Sequence, residues 1–208
     1  GLPASLTFKM VVPDLNDAVV TRAGVEQETA LNQLMFLFYK KSDTSKPAFA
    51  RVIDQLGQYS IGSDSEDESN RLYTVTISPG DTDSNGNELK SGEYYLYALA
   101  NWQNGFCSYD AEGYASKSLD ELKNAILARE SGANVLDIVN NTPMTGIYGR
   151  NDGSITINEG KNSFGTTDET RVHLRRAVAK VIFNISTENG ITFTPERYSI
   201  YNYSQSST

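Results

Sequence analysis

Residues 34–39 read Leu-Met-Phe-Leu-Phe-Tyr. Side chains of a strand alternate between its two faces, so Leu34, Phe36 and Phe38 share one side and Met35, Leu37 and Tyr39 the other. Both sides are apolar. A strand of this kind is stable only within a sheet that is covered on both faces. The rest of the chain must therefore supply neighbouring strands, a facing apolar layer and a second layer outside.

Several other runs have the two-residue period. Leu6, Phe8, Met10 and Val12 alternate with Thr7, Lys9 and Val11, between Pro3 and Pro13, and read as an isolated first strand. Leu72, Thr74 and Thr76 alternate with Tyr73, Val75 and Ile77. Tyr95, Tyr97 and Leu99 lie opposite Tyr94, Leu96 and Ala98. The stretches 49–61 (irregular at Gly57), 143–149, 154–158 and 190–203 read as further strands. One helix is expected over residues 118–129. Ser118 can cap it, Glu121 completes a capping box, Leu119, Leu122 and Ile126 share a face, and Gly132 is a C-terminal stop.

The stretch 172–186, "VHLRRAVAKVIFNIS", fits two periods. Leu174, Ala177, Val178, Val181, Ile182 and Ile185 fall at helical intervals, whereas Ala177, Ala179, Val181, Phe183 and Ile185 alternate. Its β-branched and aromatic second half, in a chain of seven or more strands, favours a strand. Arg175 and Arg176 then lie on opposite faces, and at least one reaches solvent or a carboxylate at the sheet margin. The pattern predicts an all-β fold, a β-sandwich decorated by a helical insertion. Leu34, Phe36, Phe38, Leu96, Val181 and Phe183 are expected in its core.

Composition narrows the chemistry. The 208 residues, 38% hydrophobic, suffice for a real core. A net charge of -8 with scattered basic residues argues against nucleic acid as a partner. No apolar run approaches the roughly 20 residues that span a bilayer. Cys107 and His173 are each the only residue of their type, which disfavours disulfides, thiolate clusters, multi-histidine metal sites and most His-dependent hydrolases. Within a strand, His173 reads as a structural histidine, and Cys107 as a small buried thiol. The acidic stretch "SDSEDE" reads as a solvated loop rather than a pair of catalytic carboxylates.

Two motifs have competing readings. "DTDSNG" places Asp81, Asp83 and Asn85 before Gly86, like the first half of a calcium loop, but the twelfth position is Gly92 rather than Glu. A turn between strands explains Asn85-Gly86 without metal. No metal and no cofactor are expected. The second motif is aromatic: Tyr94, Tyr95, Tyr97 and Tyr109, with Trp102 and Phe106, could form a sugar platform or a sandwich core with hydroxyls at its edge, and the core reading is preferred.

Taken in order, several stretches resemble the fimbrillins of Bacteroidia, subunits of type V pili. They are "VVTRAGVEQETALNQLMFLFY", "SGEYYLYALAN", "SLDELKNAI", "PMTG" and "VHLRRAVAKVIFNI". The resemblance covers nearly the whole chain and rests on order and spacing. It implies a transthyretin-like Greek-key β-sandwich of about seven strands. In domain terms it implies a first strand and processing segment over 1–22, an N-terminal sandwich domain over 23–200, and over 201–208 the start of a linker to a C-terminal domain. The start of the sequence lacks the lipidated cysteine of the family.

The implied function is a non-enzymatic structural subunit of a cell-surface fimbria, or a fimbrial adhesin, exported as an outer-membrane lipoprotein precursor. Its implied partners are other fimbrial subunits, joined by strand addition, and a host or bacterial surface receptor. The isolated chain is expected to be a monomer. Processing is expected between Arg22 and Ala23, with Leu6, Phe8, Met10 and Val12 forming the exchangeable first strand. Their burial is worth about 1.5–3 kcal/mol each, roughly 6–12 kcal/mol together before entropy, so the strand can be exchanged but not simply lost. The alternative is a non-polymerising surface carbohydrate-binding or adhesion module, built on Trp102 and the tyrosines.

Overall fold

The computed structural model describes residues 1–13, 31–53, 61–62, 70–102, 110–124 and 143–176. Ten strands occur among them: β1 Ala4–Pro13, β2 Leu34–Lys40, β3 Phe49–Ile53, β4 Ile61–Gly62, β5 Asn70–Ile77, β6 Gly92–Ala100, β7 Met144–Tyr148, β8 Ser154–Ile157, β9 Gly160–Ser163 and β10 Val172–Arg176. Two short helices, α1 Ala111–Ala115 and α2 Leu119–Lys123, follow β6. The strands form one mixed sheet in the order β3-β2-β6-β7-β10-β1-β5-β4, with β8 also on β6 and β9 also on β1. β6 lies antiparallel beside β2, and β10 parallel beside β1, in each case across a long stretch of sequence.

The sheet curls on itself. β1 and β2 are four places apart in it, yet the Phe8 and Phe36 rings meet edge to face with centroids 4.8 Å apart. The two wings thereby enclose one core. Ala4, Leu6, Phe8, Met10, Val12, Tyr73, Val75 and Ile77 come from one wing, and Leu34, Phe36, Phe38, Tyr94, Leu96 and Ala98 from the other. The doubly apolar β2 is the clearest case of sequence dictating position. It is paired with β3 on one side and β6 on the other, and its residues 34–39 are all buried. Its second face, Met35, Leu37 and Tyr39, packs with Leu99, Trp102, Tyr114, Leu119 and Leu122 under the two helices. The Tyr39 hydroxyl donates to the Lys117 carbonyl at 3.0 Å and ties that layer to the sheet.

Local chemistry sets the boundaries. Ser118 caps α2 and forms the expected capping box with Glu121, whose carboxyl is held below its ordinary range by hydrogen bonds from Ser118. α1 was not evident in the sequence; it is a single turn-and-a-half capped by Asp110, too short to show a period. Asn101, just after β6, adopts a left-handed backbone (φ 56) and its Oδ1 accepts from the Asn32 N–H at 2.9 Å. It thereby fixes where the chain joins β2. Gly146 in β7 lies so close to β10 that a Cβ would stand 2.3 Å from the His173 carbonyl oxygen.

Most expectations about the fold hold, and some are extended. Among the described residues the strands number ten, in keeping with seven or more, and β4, β8 and β9 are short. Val172–Arg176 is a strand, with Arg175 exposed and Arg176 half-buried. Leu34, Phe36, Phe38 and Leu96 are buried in the core. Val181, Phe183 and the second half of that run lie outside the described residues, as do Ile126, Gly132 and Cys107.

Candidate functional site

β1 is an interior strand whose neighbours come from distant parts of the chain. It runs antiparallel to β5, with register pairs from Leu6↔Ile77 to Pro13↔Asn70. On its other edge it runs parallel to two successive segments. Ala4 to Thr7 pair with Gly160 to Ser163 of β9, and Met10 and Val11 pair with Val172 and His173 of β10. Parallel partners cannot be joined by a tight hairpin, so β1 is held in place by ladders and side chains rather than by a short connection.

Its inward face is complete. Leu6 is 1% exposed and Phe8, Met10 and Val12 are 0% exposed, so the four residues of the expected exchangeable strand share one buried face. Phe8 stacks edge to face on Phe36. On the opposite face Val11 is also buried, whereas Ser5, Thr7 and Lys9 are partly exposed. If β1 left, it would uncover an apolar slot between β5 and the β9–β10 edge, lined with unpaired backbone donors and acceptors.

The edge that receives β1 is braced. Asn162 is buried; its Nδ2 donates to the Ser5 carbonyl at 3.1 Å and the Asn158 carbonyl at 2.8 Å, while its Oδ1 accepts from the Asn158 N–H at 2.8 Å. Phe164 packs against Tyr148, whose phenol burial pushes above its ordinary pKa. A single 3-10 turn, Asp168–Thr170, then leads into β10. There His173 Nε2 donates to the Asp168 carbonyl at 2.7 Å, and the Asp168 carboxylate pairs with Arg150. His173 is thus the structural histidine expected. Asn162 and Gly165 were missed in the sequence, because "GKNSFG" is short, polar and without period.

Other expected features fall as follows. Arg22 and Ala23 lie outside the described residues, as does the "SDSEDE" stretch. Asp83 of "DTDSNG" accepts from the backbone of Asn85 and Asn87, both at 2.9 Å, and Asp81 accepts from the Ser78 N–H at 2.8 Å. Those carboxylates build turns, and Gly86 takes the positive φ (77) that such a turn requires. Trp102 is 1% exposed, inside the layer beneath the helices, so it cannot present a face to a sugar. Tyr95 and Tyr97 are half-buried, with Lys123 over both rings and Lys41 over Tyr95. The aromatic cluster is chiefly core. Among the described residues no group of three or more His, Cys, Asp or Glu is arranged to hold a metal.

No protein-family model matches the sequence, and no curated protein matches it significantly. Solved structures do match the backbone. A fimbrial assembly protein from Parabacteroides distasonis ATCC 8503 aligns over 85% of this chain and 54% of its own, with 9% identity and a TM-score of 0.50. A fimbrilin from Porphyromonas gingivalis W83 aligns over 85% of this chain and 40% of its own, with 16% identity and a TM-score of 0.49. The chain thus spans about half the length, or less, of these structures. With identity this low the likeness is one of backbone alone: the chain has the β-sandwich fold of a fimbrial assembly protein.

Proposed function

We propose that the chain is a non-enzymatic structural subunit of a cell-surface fimbria, or a fimbrial adhesin, exported as a lipoprotein precursor. In this reading β1 is removed by proteolysis between Arg22 and Ala23 and replaced by a strand of another subunit. The observation that carries the proposal is the state of β1: an interior strand, buried on its inward face, paired with β5 on one edge and with β9 and β10 on the other, and linked to β2 only through residues 14–33. Such a strand is separable by one cut in that segment, and its slot demands a substitute. The fimbrial fold and the fimbrillin resemblance in the sequence support the same reading. The burial of Trp102 weighs against the alternative of a carbohydrate-binding module.

The test is treatment of the chain with an arginine-specific protease, followed by N-terminal sequencing and native mass measurement. A new N-terminus at Ala23, loss of β1 and assembly into polymers with subunits that carry a donor strand are expected. A protected Arg22, or mature subunits that keep Leu6 and Val12, would defeat the proposal.

A further inference from the structure

β1 is held unequally along its length. Its N-terminal half is bonded on both edges. Ala4 to Thr7 pair with β9, and the Phe164 N–H continues that ladder to the Thr7 carbonyl at 2.9 Å. Asn162 adds a bond to the Ser5 carbonyl at 3.1 Å. On the other edge Leu6 to Phe8 pair with Ile77 to Val75. Ahead of them, Ser91 N–H donates to the Leu2 carbonyl at 2.8 Å and Ala4 N–H to the Leu89 carbonyl at 3.1 Å.

The C-terminal half is held mainly on one edge. β5 pairs with it as far as Pro13, but on the β10 side only Met10 and Val11 have register partners among the described residues. Pro13 has no N–H to donate. Between the halves, residues 165–171 leave the ladder. Gly165, at φ 109, stands beside Lys9, where a Cβ would come within 2.5 Å of the Lys9 Cβ. The receiving edge is therefore two separate segments, with a break at Lys9.

We propose that β1 is released, and a replacing strand docks, from the end at residues 10–13, and that residues 2–8 are displaced last. This rests on the strand-replacement reading above. Displacement in steps breaks a few bonds at a time, whereas lifting the whole strand would expose every pocket and backbone group together. Among the described residues the end with fewest bonds is that at residues 10–13, and the end with fewest bonds opens first. The pockets it uncovers are those of Val12 and Met10, both fully buried. The first contact is thus with aliphatic side chains two residues apart, near the C-terminal end of an extended segment from another subunit. To reproduce the parallel ladders with β9 and β10, that segment runs in the direction of β1.

Two measurements test the order. Native-state hydrogen exchange on the intact chain should show the amides of Met10 to Val12 exchanging at least roughly tenfold faster than those of Leu6 to Phe8. The chain cut after Arg22 is then mixed with a labelled peptide of the β1 sequence, residues 1–13. Alanine at peptide positions 10 and 12 should slow association roughly tenfold, since every 1.4 kcal/mol lost at the first contact is a factor of ten. Alanine at positions 6 and 8 should leave association within about twofold and speed dissociation instead. The reverse pattern in either experiment overturns the proposal. If no peptide displaces β1, the strand-replacement reading fails, and with it the docking order, whatever the exchange pattern shows.

Discussion

Replacing Phe8 by alanine tests whether β1 is integral to the fold before any processing. The ring is 0% exposed and meets Phe36 of the opposite wing at 4.8 Å. Truncating a buried Phe to Ala costs roughly 3–5 kcal/mol, a figure that includes the cavity left behind. Collapse does little to soften the loss, because β1 is held by its ladder to β5 and β2 by its ladder to β6. Against a typical net stability of about 5–15 kcal/mol it is a large fraction. In a chain of this size about 1 kcal/mol moves the melting temperature by roughly 2–4 °C, so a fall of about 6–20 °C is expected. A thermal melt of the uncut chain measures the fall, and urea unfolding the free-energy loss. Ser5→Ala, on the outward side of the same strand, removes only a 3.5 Å hydroxyl contact to the Gly160 carbonyl and serves as the control, at no more than about 1 kcal/mol. Equal costs for the two variants would show that β1 does not contribute its inward face to stability, and the argument for a replaceable strand would fall.

Two further outcomes follow from the packing. Gly146→Ala should destabilise the chain by roughly 1–3 kcal/mol or more, because the new Cβ meets the β10 backbone at 2.3 Å rather than a flexible side chain; a thermal melt that matches the parent would refute the close approach. Tyr39→Phe should change the response to alkali. Burial, the largest cause, together with the nearby Glu121 and Tyr97, raises the Tyr39 phenol above its ordinary value near 10. A raised folded pKa gives stability that is whole below about pH 10 and is lost as pH rises, since the unfolded phenol ionises first. At pH 8 the variant should be weaker by about 0.5–1.5 kcal/mol, the net worth of the bond to the Lys117 carbonyl. By pH 11 that gap should close or reverse; a gap constant in urea titrations from pH 8 to 11 would contradict the buried neutral phenol.

Much of this molecule was legible in the order of its residues. Alternation is local, so Leu34 to Tyr39 announced a strand covered on both faces, and Leu6, Phe8, Met10 and Val12 announced the inward face of β1. Ser118 and Glu121 announced a cap because a capping box spans only three residues. What the sequence left open depends on contacts between distant positions. No period in residues 160–163 reveals that they lie parallel to β1, and nothing around Asn162 or Gly165 shows that one bonds Ser5 and the other abuts Lys9. Trp102 could face a sugar or the core on its sequence alone; the layer beneath α1 and α2 decided for the core. Periodicity thus determined which face of each strand is buried, because that depends on side-chain hydrophobicity alone. Which strands lie side by side was decided only by the curl of the sheet, because backbone hydrogen bonds are nearly blind to sequence and the closure of the core selects among them.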